Sequence, residues 1–451
     1  MLRIPRIVKN FSSFFARAGH QCYLVGGAVR DMLMGAKVQD FDIATDALPG
    51  QVTDIFRRVI PTGIKHGTVT VLFKGTRFEV TTFRIDREYR DGRRPDSVTF
   101  SPSIEEDLKR RDFTINAMAY DLQEHRLLDP HGGRKDLKAG IIRAIGDPLQ
   151  RFQEDGLRPV RACRFAAQLG FTIEDHTFAC IPRSLDTVKQ VSAERFRDEL
   201  IRILEAPAPS IGFNLLNDCG ILQLFMPELI ACQEVGQGDL HRYDLYHHLL
   251  YACDAAPQDN LVVRLAALLH DLGKPRTMTR TPEGAIHFHG HEELSARLAE
   301  KILRRLRFPN QVVKRVSHLA AQHMFHYEER WSDAAVRRFV ARIGVENIPD
   351  ILCLRRADQL AMVGEHFVST SLIALEKRIE EVLAKDRILS LKDLAVNGDD
   401  LIAELGIPRG PKIGIVLRAL LESVLEDPQQ NERERLLKIA ERFYRARLRE
   451  D

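Results

Sequence analysis

Two rhythms of apolar residues divide the 451-residue chain. Up to about residue 145 the apolar runs are short, rich in β-branched residues and separated by turn residues, as strands are. "CYLVGG" reads as a short buried strand entering a turn, and "AVRDMLMG" as a helix stopped by Gly35. "HGTVTVLFKGTRFEVTTFR" carries two β-branched runs about Lys74-Gly75-Thr76, a hairpin signal. "DREYRDGRRPDSVTFSPS", Asp86 to Ser103, is polar and nearly aperiodic, and is expected to be a mobile loop. After "GDPLQRF" the period turns helical, in "RACRFAAQLGF", "ERFRDELIRILEA", "NLVVRLAALLHDLGKP", "ELSARLAEKILRRLRF" and "IGIVLRALLESVLED". The expectation is an α+β chain with a compact head of strands and helices over 1–145. Helical segments follow over 146–235, 236–360 and 361–451, with breaks at "EAPAPS" and "AAPQDN".

Length alone calls for two to four domains. Hydrophobic residues at 44% and charged residues at 29% describe an ordinary soluble globular protein. No apolar run approaches the roughly 18 residues that span a bilayer, so no membrane partner is expected. Seven cysteines are scattered without a C-x-x-C pair, which reads as reduced thiols in a cytoplasmic protein. Net charge is only +3, but residues 1–30 carry five Arg or Lys and no acid. That is the composition of a transit peptide. A strand and glycine turn already begin by Tyr23, so a first amphipathic helix is the better expectation. Basic clusters such as "RPVRACRF" and "RLLKIAERFYRARLRE" suit nucleic acid, although each alone also suits a solvated helix face.

The first candidate chemistry lies in "VGGAVRDMLMGAKVQDFDIATD". In a strand, residues i and i+2 share a face, so Asp40 and Asp42 would point together while Phe41 turns into the core. Two such carboxylates can hold one or two Mg²⁺, and a metal pair can serve both the attacking and the leaving oxygen. Gly26-Gly27 let backbone N–H groups approach a phosphate, and Arg30 can clamp it. Glu79, in "RFEVTTFR", is a candidate third acid, though a surface strand residue reads as well.

With "GIKHGTVTV", "RRDFTINAMAY", "EDGLRPVRACRF" and "ERFRDEL", these residues stand in an order that resembles the class II tRNA nucleotidyltransferases. That family comprises CCA-adding enzymes and related bacterial poly(A) polymerases. The resemblance runs over roughly residues 20–200. It implies a nucleotidyltransferase head followed by helical neck, body and tail, acting on the 3′ end of tRNA with CTP and ATP. It further implies that Asp40 and Asp42 are the catalytic metal ligands, with Gly27 and Arg30 on the nucleotide.

Asp155, Arg158, Arg161 and Arg164 recur every three residues, winding slowly along one side of a helix. Cytosine and adenine each present an amine donor beside a ring-nitrogen acceptor, whereas guanine and uracil present a carbonyl where the amine would be. An ionised Asp only accepts and Arg only donates. Asp155 with Arg158 would therefore take C or A and leave polar groups unpaired against G or U. The resemblance implies that role for Asp155 and Arg158, and lines the site with Arg111, Arg161 and Arg164. Gly156 and Pro159 are poor helix formers, so the helix is expected to start at Pro159.

A third set lies in the helical half, in "YHHLLYACD", "LLHDLGKP", "FHGHEELSA", "LAAQHMF" and "RRADQLA". His248, His270, Asp271, His291, His323 and Asp358 suit one or two divalent ions. Their order resembles the HD phosphohydrolase superfamily, which implies a second metal site, for Ni²⁺, Mn²⁺ or Mg²⁺, with phosphatase or phosphodiesterase activity. Spacing leaves His247 and His289 as alternatives to their neighbours.

The expectation is template-independent addition of C, C and A to tRNA. The resemblance implies that the segment 86–103 argues against a CC-only enzyme, since family members restricted to CC look shortened there. An A-adding enzyme and a poly(A) polymerase stay open, as do an HD phosphohydrolase whose head only binds nucleotide and a non-catalytic RNA-binding protein. Oligomeric state is open too.

Overall fold

The computed structural model describes residues 2–38, 40–64, 67–87, 97–238, 242–363, 368–385 and 390–448. They form two compact units, Met1–Pro227 and Glu228–Asp451.

The first unit is built on a mixed sheet. Its strands are β1 (Tyr23–Val25), β2 (Phe41–Thr45), β3 (Val59–Gly63), β4 (Thr68–Phe73), β5 (Thr76–Thr82), β6 (Ala119–Asp121) and β7 (Leu127–Leu128). They lie in the order β3-β4-β5-β2-β1-β6-β7, and only β2 and β5 pair in parallel. The basic N-terminal segment is helix α1 (Arg6–Arg17), and it is part of the core. Its Phe11 stacks on Phe78 of β5 at 3.9 Å between ring centres. Phe41 stacks on the same ring at 5.5 Å, which leaves its neighbours Asp40 and Asp42 directed elsewhere. The β4–β5 hairpin turns on Lys74 and Gly75 alone, both at positive φ (49° and 81°), as a two-residue turn between right-twisted strands requires. Thr76 already pairs with Phe73.

The segment expected to be a loop contains strand residues. Arg84–Arg87 pairs antiparallel with Ser97–Phe100, because β-branched "SVTF" supplies a strand that the surrounding charge conceals. Residues 88–96 lie outside the described residues.

Helices then follow: α2 (Gly27–Leu33) after β1, and later α3 (Pro148–Glu154), α4 (Leu157–Leu169) and α5 (Ala193–Leu204). The start of α4 is at Leu157, two residues before the expected Pro159. Proline fits there because first-turn N–H groups have no intrahelical partner. Asp155 therefore stands outside the helix, in extended backbone between α3 and α4 (φ −145°, ψ 107°). Gly156 makes that break tight: a Cβ would lie 2.4 Å from the Thr187 carbonyl oxygen.

The second unit is mainly helical. Helices α6 (Leu245–Ala255), α7 (Leu261–Leu269), α8 (His291–Arg305), α9 (Asn310–Gln322) and α10 (Ile348–Val363) pack together. A separate cluster of Leu401, Val416, Leu420, Val424, Leu436 and Ala440 joins the helices Gly398–Leu405, Pro411–Glu426 and Arg433–Arg447. Among the described residues no helix is long and apolar enough to cross a membrane. All seven cysteines are free.

Candidate active site and a buried His-Asp centre

One cavity of about 890 Å³ in the first unit collects every site residue expected of the head and the base-reading segment. Gly27, Arg30, Asp40, Asp42, Arg111, Asp155, Arg158, Arg161 and Arg164 all line it. Its acidic corner is Asp40, Asp42 and Glu79. Glu79 on β5 is the direct register partner of Asp42 on β2, so parallel pairing brings a third carboxylate to the same wall. Burial, then the charge of Glu79 and of Asp40, push the Asp42 carboxyl up to about 6, against Arg111 and Arg30. Crowded carboxylate oxygens of this kind suit a hard divalent cation, which relieves their repulsion.

The rest of the lining is strongly cationic, and most of its guanidinium groups are tethered. Gly26 holds φ 67° and ψ −136°, and a Cβ on it would lie 2.9 Å from Arg111 Nη1, so glycine is required between strand and arginine. Arg111 reaches the buried Asp107 at 3.2 Å. Arg30 donates to Asn116 Oδ1 at 2.8 Å and stands 5.2 Å from the Phe165 ring centre. Arg161 and Arg164 crowd the same ring at 5.3 and 3.9 Å, which makes Phe165 a cation–π platform for three arginines. Burial alone would raise Asp112, but Arg161, donating from Nε at 2.8 Å, and the Asn116 amide hold it at about 2. Burial and the like charge of Arg161 bring Arg164 down to about 9, while Glu199 lies 2.7 Å from its Nε.

Asp155 and Arg158, the pair expected to read the base, take other partners than a simple i,i+3 ion pair suggests. Arg158 donates from Nη1 to Glu154 Oε2 at 2.5 Å and to the Arg151 carbonyl, and from Nη2 to the Arg110 carbonyl. Asp155 accepts from Arg195 at 3.0 and 2.9 Å and from the Leu157 N–H at 3.0 Å. Sequence reasoning gave no role to Asp112, Glu154, Phe165, Arg195 and Glu199. The last two stand in "ERFRDEL", and their four-residue spacing places them on one helix face.

The second unit brings together all six residues expected of the HD set. His248 Nε2 lies 3.2 Å from Asp358 Oδ1 and 3.8 Å from Asp271 Oδ2. His270 Nε2 is 3.3 Å from Asp271 Oδ2 and 3.5 Å from Asp358 Oδ1. On the other side of Asp271, His291 and His323 Nε2 approach its Oδ1 at 3.1 and 3.3 Å. All six are buried. The Nδ1–H of His270, His291 and His323 donates to the carbonyls of Ala267, Phe288 and Ala320, which turns each Nε2 inward. Among the described residues, His270 Nε2, His291 Nε2 and Asp271 Oδ1 are buried without a well-aligned hydrogen bond, and two overlapping three-ligand sets meet at Asp271. Orphaned imidazole and carboxylate atoms so arranged fit divalent ions. Burial opposes charge on His270, yet Asp271 and Asp358 hold its pKa at about 10. Of the two alternatives, His247 bonds Asp244 at 2.7 Å, and His289 is exposed and stacked on His287.

Head, acidic corner and helical wall together have the architecture of a nucleotidyltransferase, and the comparisons agree. Residues 22–143 match the poly A polymerase head domain, 170–232 the RNA- and SrmB-binding site of polymerase A, and 289–440 the tRNA nucleotidyltransferase domain 2. The chain is 35% identical over 419 residues to the CCA-adding enzyme of Geobacillus stearothermophilus, covering 93% of this chain and 92% of that one. It is 36% identical to the A-adding tRNA nucleotidyltransferase of Deinococcus radiodurans, over 89% of this chain and 90% of that one. The crystal structure of the Bacillus stearothermophilus CCA-adding enzyme in complex with CTP superposes with a TM-score of 0.75 at 30% identity, over 98% of both chains. The chain belongs to the tRNA nucleotidyltransferase family that contains the CCA-adding enzymes.

Proposed function

We propose that this chain adds C, C and A to the 3′ end of tRNA from CTP and ATP, selecting the base with its own side chains. The observation that carries this is the cavity that Asp40, Asp42 and Glu79 line together with Asp155 and the arginines of α4. Residues 1–145 would be the catalytic head and 146–235 the neck that reads the base; 361–451 would hold tRNA. Asp40 and Asp42, with Glu79 beside them, would hold Mg²⁺, which supplies charge neutralisation at the reacting phosphate and eases deprotonation of the attacking hydroxyl. The terminal 3′-hydroxyl forms a bond to the α-phosphorus of the nucleotide as the bond to pyrophosphate breaks. Arg30 and Arg111 bind the triphosphate, and their fixed partners Asn116 and Asp107 keep them in place before substrate arrives. Asp155 accepts the amine of cytosine or adenine, and Arg158 donates to the adjoining ring nitrogen. Replacing Asp40 or Asp42 with Ala should abolish nucleotide addition while tRNA binding survives. Near-normal turnover in either variant would return these acids to a structural role.

A second activity is supported by the orphaned Nε2 atoms around Asp271. Residues 236–360 would form a metal-dependent phosphohydrolase centre holding Ni²⁺, Mn²⁺ or Mg²⁺ through His248, His270, Asp271, His291, His323 and Asp358. Phosphate release from 2′,3′-cyclic nucleotides with each metal tests it, and no hydrolysis with any of them would make the centre structural.

A further inference from the structure

We propose that Phe165 is a positioning residue for the triphosphate: its ring face backs the guanidinium of Arg30 and holds it towards the Gly26-Gly27 turn. The inference rests on the phosphate-binding role of Arg30 proposed above. Phe165 on α4 is buried and lines the cavity, yet it is bordered by charge. Phe113 meets it edge-on at 5.9 Å and 85°. Three guanidinium carbons stand over the ring, those of Arg30 at 5.2 Å, Arg161 at 5.3 Å and Arg164 at 3.9 Å. A leucine would fill much the same space, but only an aromatic face presents negative charge density to a cation.

The partners of Arg30 explain why a face is needed. Its Nε and Nη2 meet Asp31 Oδ1 at 2.8 and 2.7 Å, and its Nη1 donates to Asn116 Oδ1 at 2.8 Å. These contacts act on the edges of a planar fork and leave it able to rock about the line between them. A ring against the flat of the fork stops that rocking and uses up no N–H donor. Nη2 then stands 3.5 Å from where a Cβ on Gly27 would lie, beside the turn whose glycines admit a phosphate. Arg161 and Arg164 are each paired with a buried acid, Asp112 and Glu199. The acid of Arg30, Asp31, is partly exposed and holds it more weakly, so Arg30 depends most on the ring. The triphosphate is common to CTP and ATP, so this device serves both alike and chooses no base.

The experiment measures kcat and KM for CTP and ATP on tRNA lacking its terminal nucleotides, with inhibition constants for pyrophosphate and for cytidine. The proteins are wild type, Phe165→Leu, Arg30→Ala, and chains in which residue 165 is a phenylalanine bearing one, three or five ring fluorines. Fluorine drains the ring face of negative charge at nearly constant shape. Phe165→Leu should raise both KM values and the pyrophosphate constant by about five- to thirtyfold, with cytidine within about twofold. The fluorinated series should weaken pyrophosphate stepwise, and it decides the matter alone should Phe165→Leu not fold. A merely structural ring would leave the fluorinated chains within about twofold of wild type, or weaken pyrophosphate and cytidine in parallel; either result overturns the proposal. Should Arg30→Ala weaken pyrophosphate while the residue-165 variants do not, only the role of Phe165 fails. Should Arg30→Ala itself leave pyrophosphate unchanged, the phosphate-binding role fails and this inference with it.

Discussion

Asp42→Asn should make the metal-free protein more stable while it inactivates it. The Asp42 carboxyl is raised from 3.8 to about 6 by burial and by Glu79, so its charged form is strained in the folded state. At about 1.4 kcal/mol per pH unit, that rise corresponds to about 3 kcal/mol against the native state. The sign follows from proton binding. The folded chain holds this proton more tightly than the unfolded chain, so the penalty is absent below about pH 4 and complete above about pH 6. Asparagine carries no charge and escapes it. In urea melts followed by circular dichroism in excess EDTA, Asp42→Asn should gain up to about 3 kcal/mol at pH 7.5. Near pH 4 the two proteins should converge. In thermal melts the gain corresponds to about 6–12 °C for a unit of this size. Adding Mg²⁺ should raise wild type towards the variant, since an ion at Asp42 removes the same repulsion. An asparagine variant no more stable than wild type at pH 7.5, or a gap that persists unchanged at pH 4, would refute the crowding of carboxylates.

Arg158→Ala should lose discrimination against UTP and GTP along with rate, each polar partner carrying about 1–3 kcal/mol of selectivity, as incorporation of all four nucleotides would reveal. His270→Ala or Asp271→Ala should abolish metal-dependent phosphate release yet leave C and A incorporation in place; loss of both activities in folded variants would mean coupled sites. Asp112→Asn should cost about 2–3 kcal/mol in urea melts, because the Arg161 guanidinium loses its close charged partner and keeps Glu199 only at 3.8 Å. Wild-type Asp112, held at about 2, gives stability that is present above pH 4 and lost as pH falls towards 2, a slope the variant should lack.

Much of the site was legible because its residues sit close together in sequence. Asp40 and Asp42 flank a core phenylalanine, and that spacing implied a shared face before any sheet was known. Glu79 stayed ambiguous because only the parallel pairing of β2 with β5 sets it beside Asp42. Lys74-Gly75 announced its hairpin through a local backbone requirement. The strand pair 84–87 and 97–100 did not, since charged side chains hide a pairing made through backbone groups. The partners of Asp155 and Arg161 were out of reach for the same reason. Arg195 lies 40 residues from Asp155 and Arg161 lies 49 from Asp112, distances at which helical periodicity says nothing about contact. In the second unit the six ligand candidates could be read in order, but that His248 rather than His247 is turned inward depends on which face of α6 is buried.

The most direct measurement offers the purified chain three RNAs: tRNA ending before CCA, tRNA ending in CC, and an unrelated RNA. CTP and ATP are supplied separately and together, and products are read at single-nucleotide resolution. The expected result is two C residues from CTP alone on the first RNA and a single A from ATP on the second. Both nucleotides should complete CCA and then stop, with no extension of the unrelated RNA. Addition of A to tRNA ending in CC, without any C added to the shorter tRNA, would make this an A-adding enzyme and contradict the proposed function. Long A tails on unrelated RNA would contradict it in favour of a poly(A) polymerase.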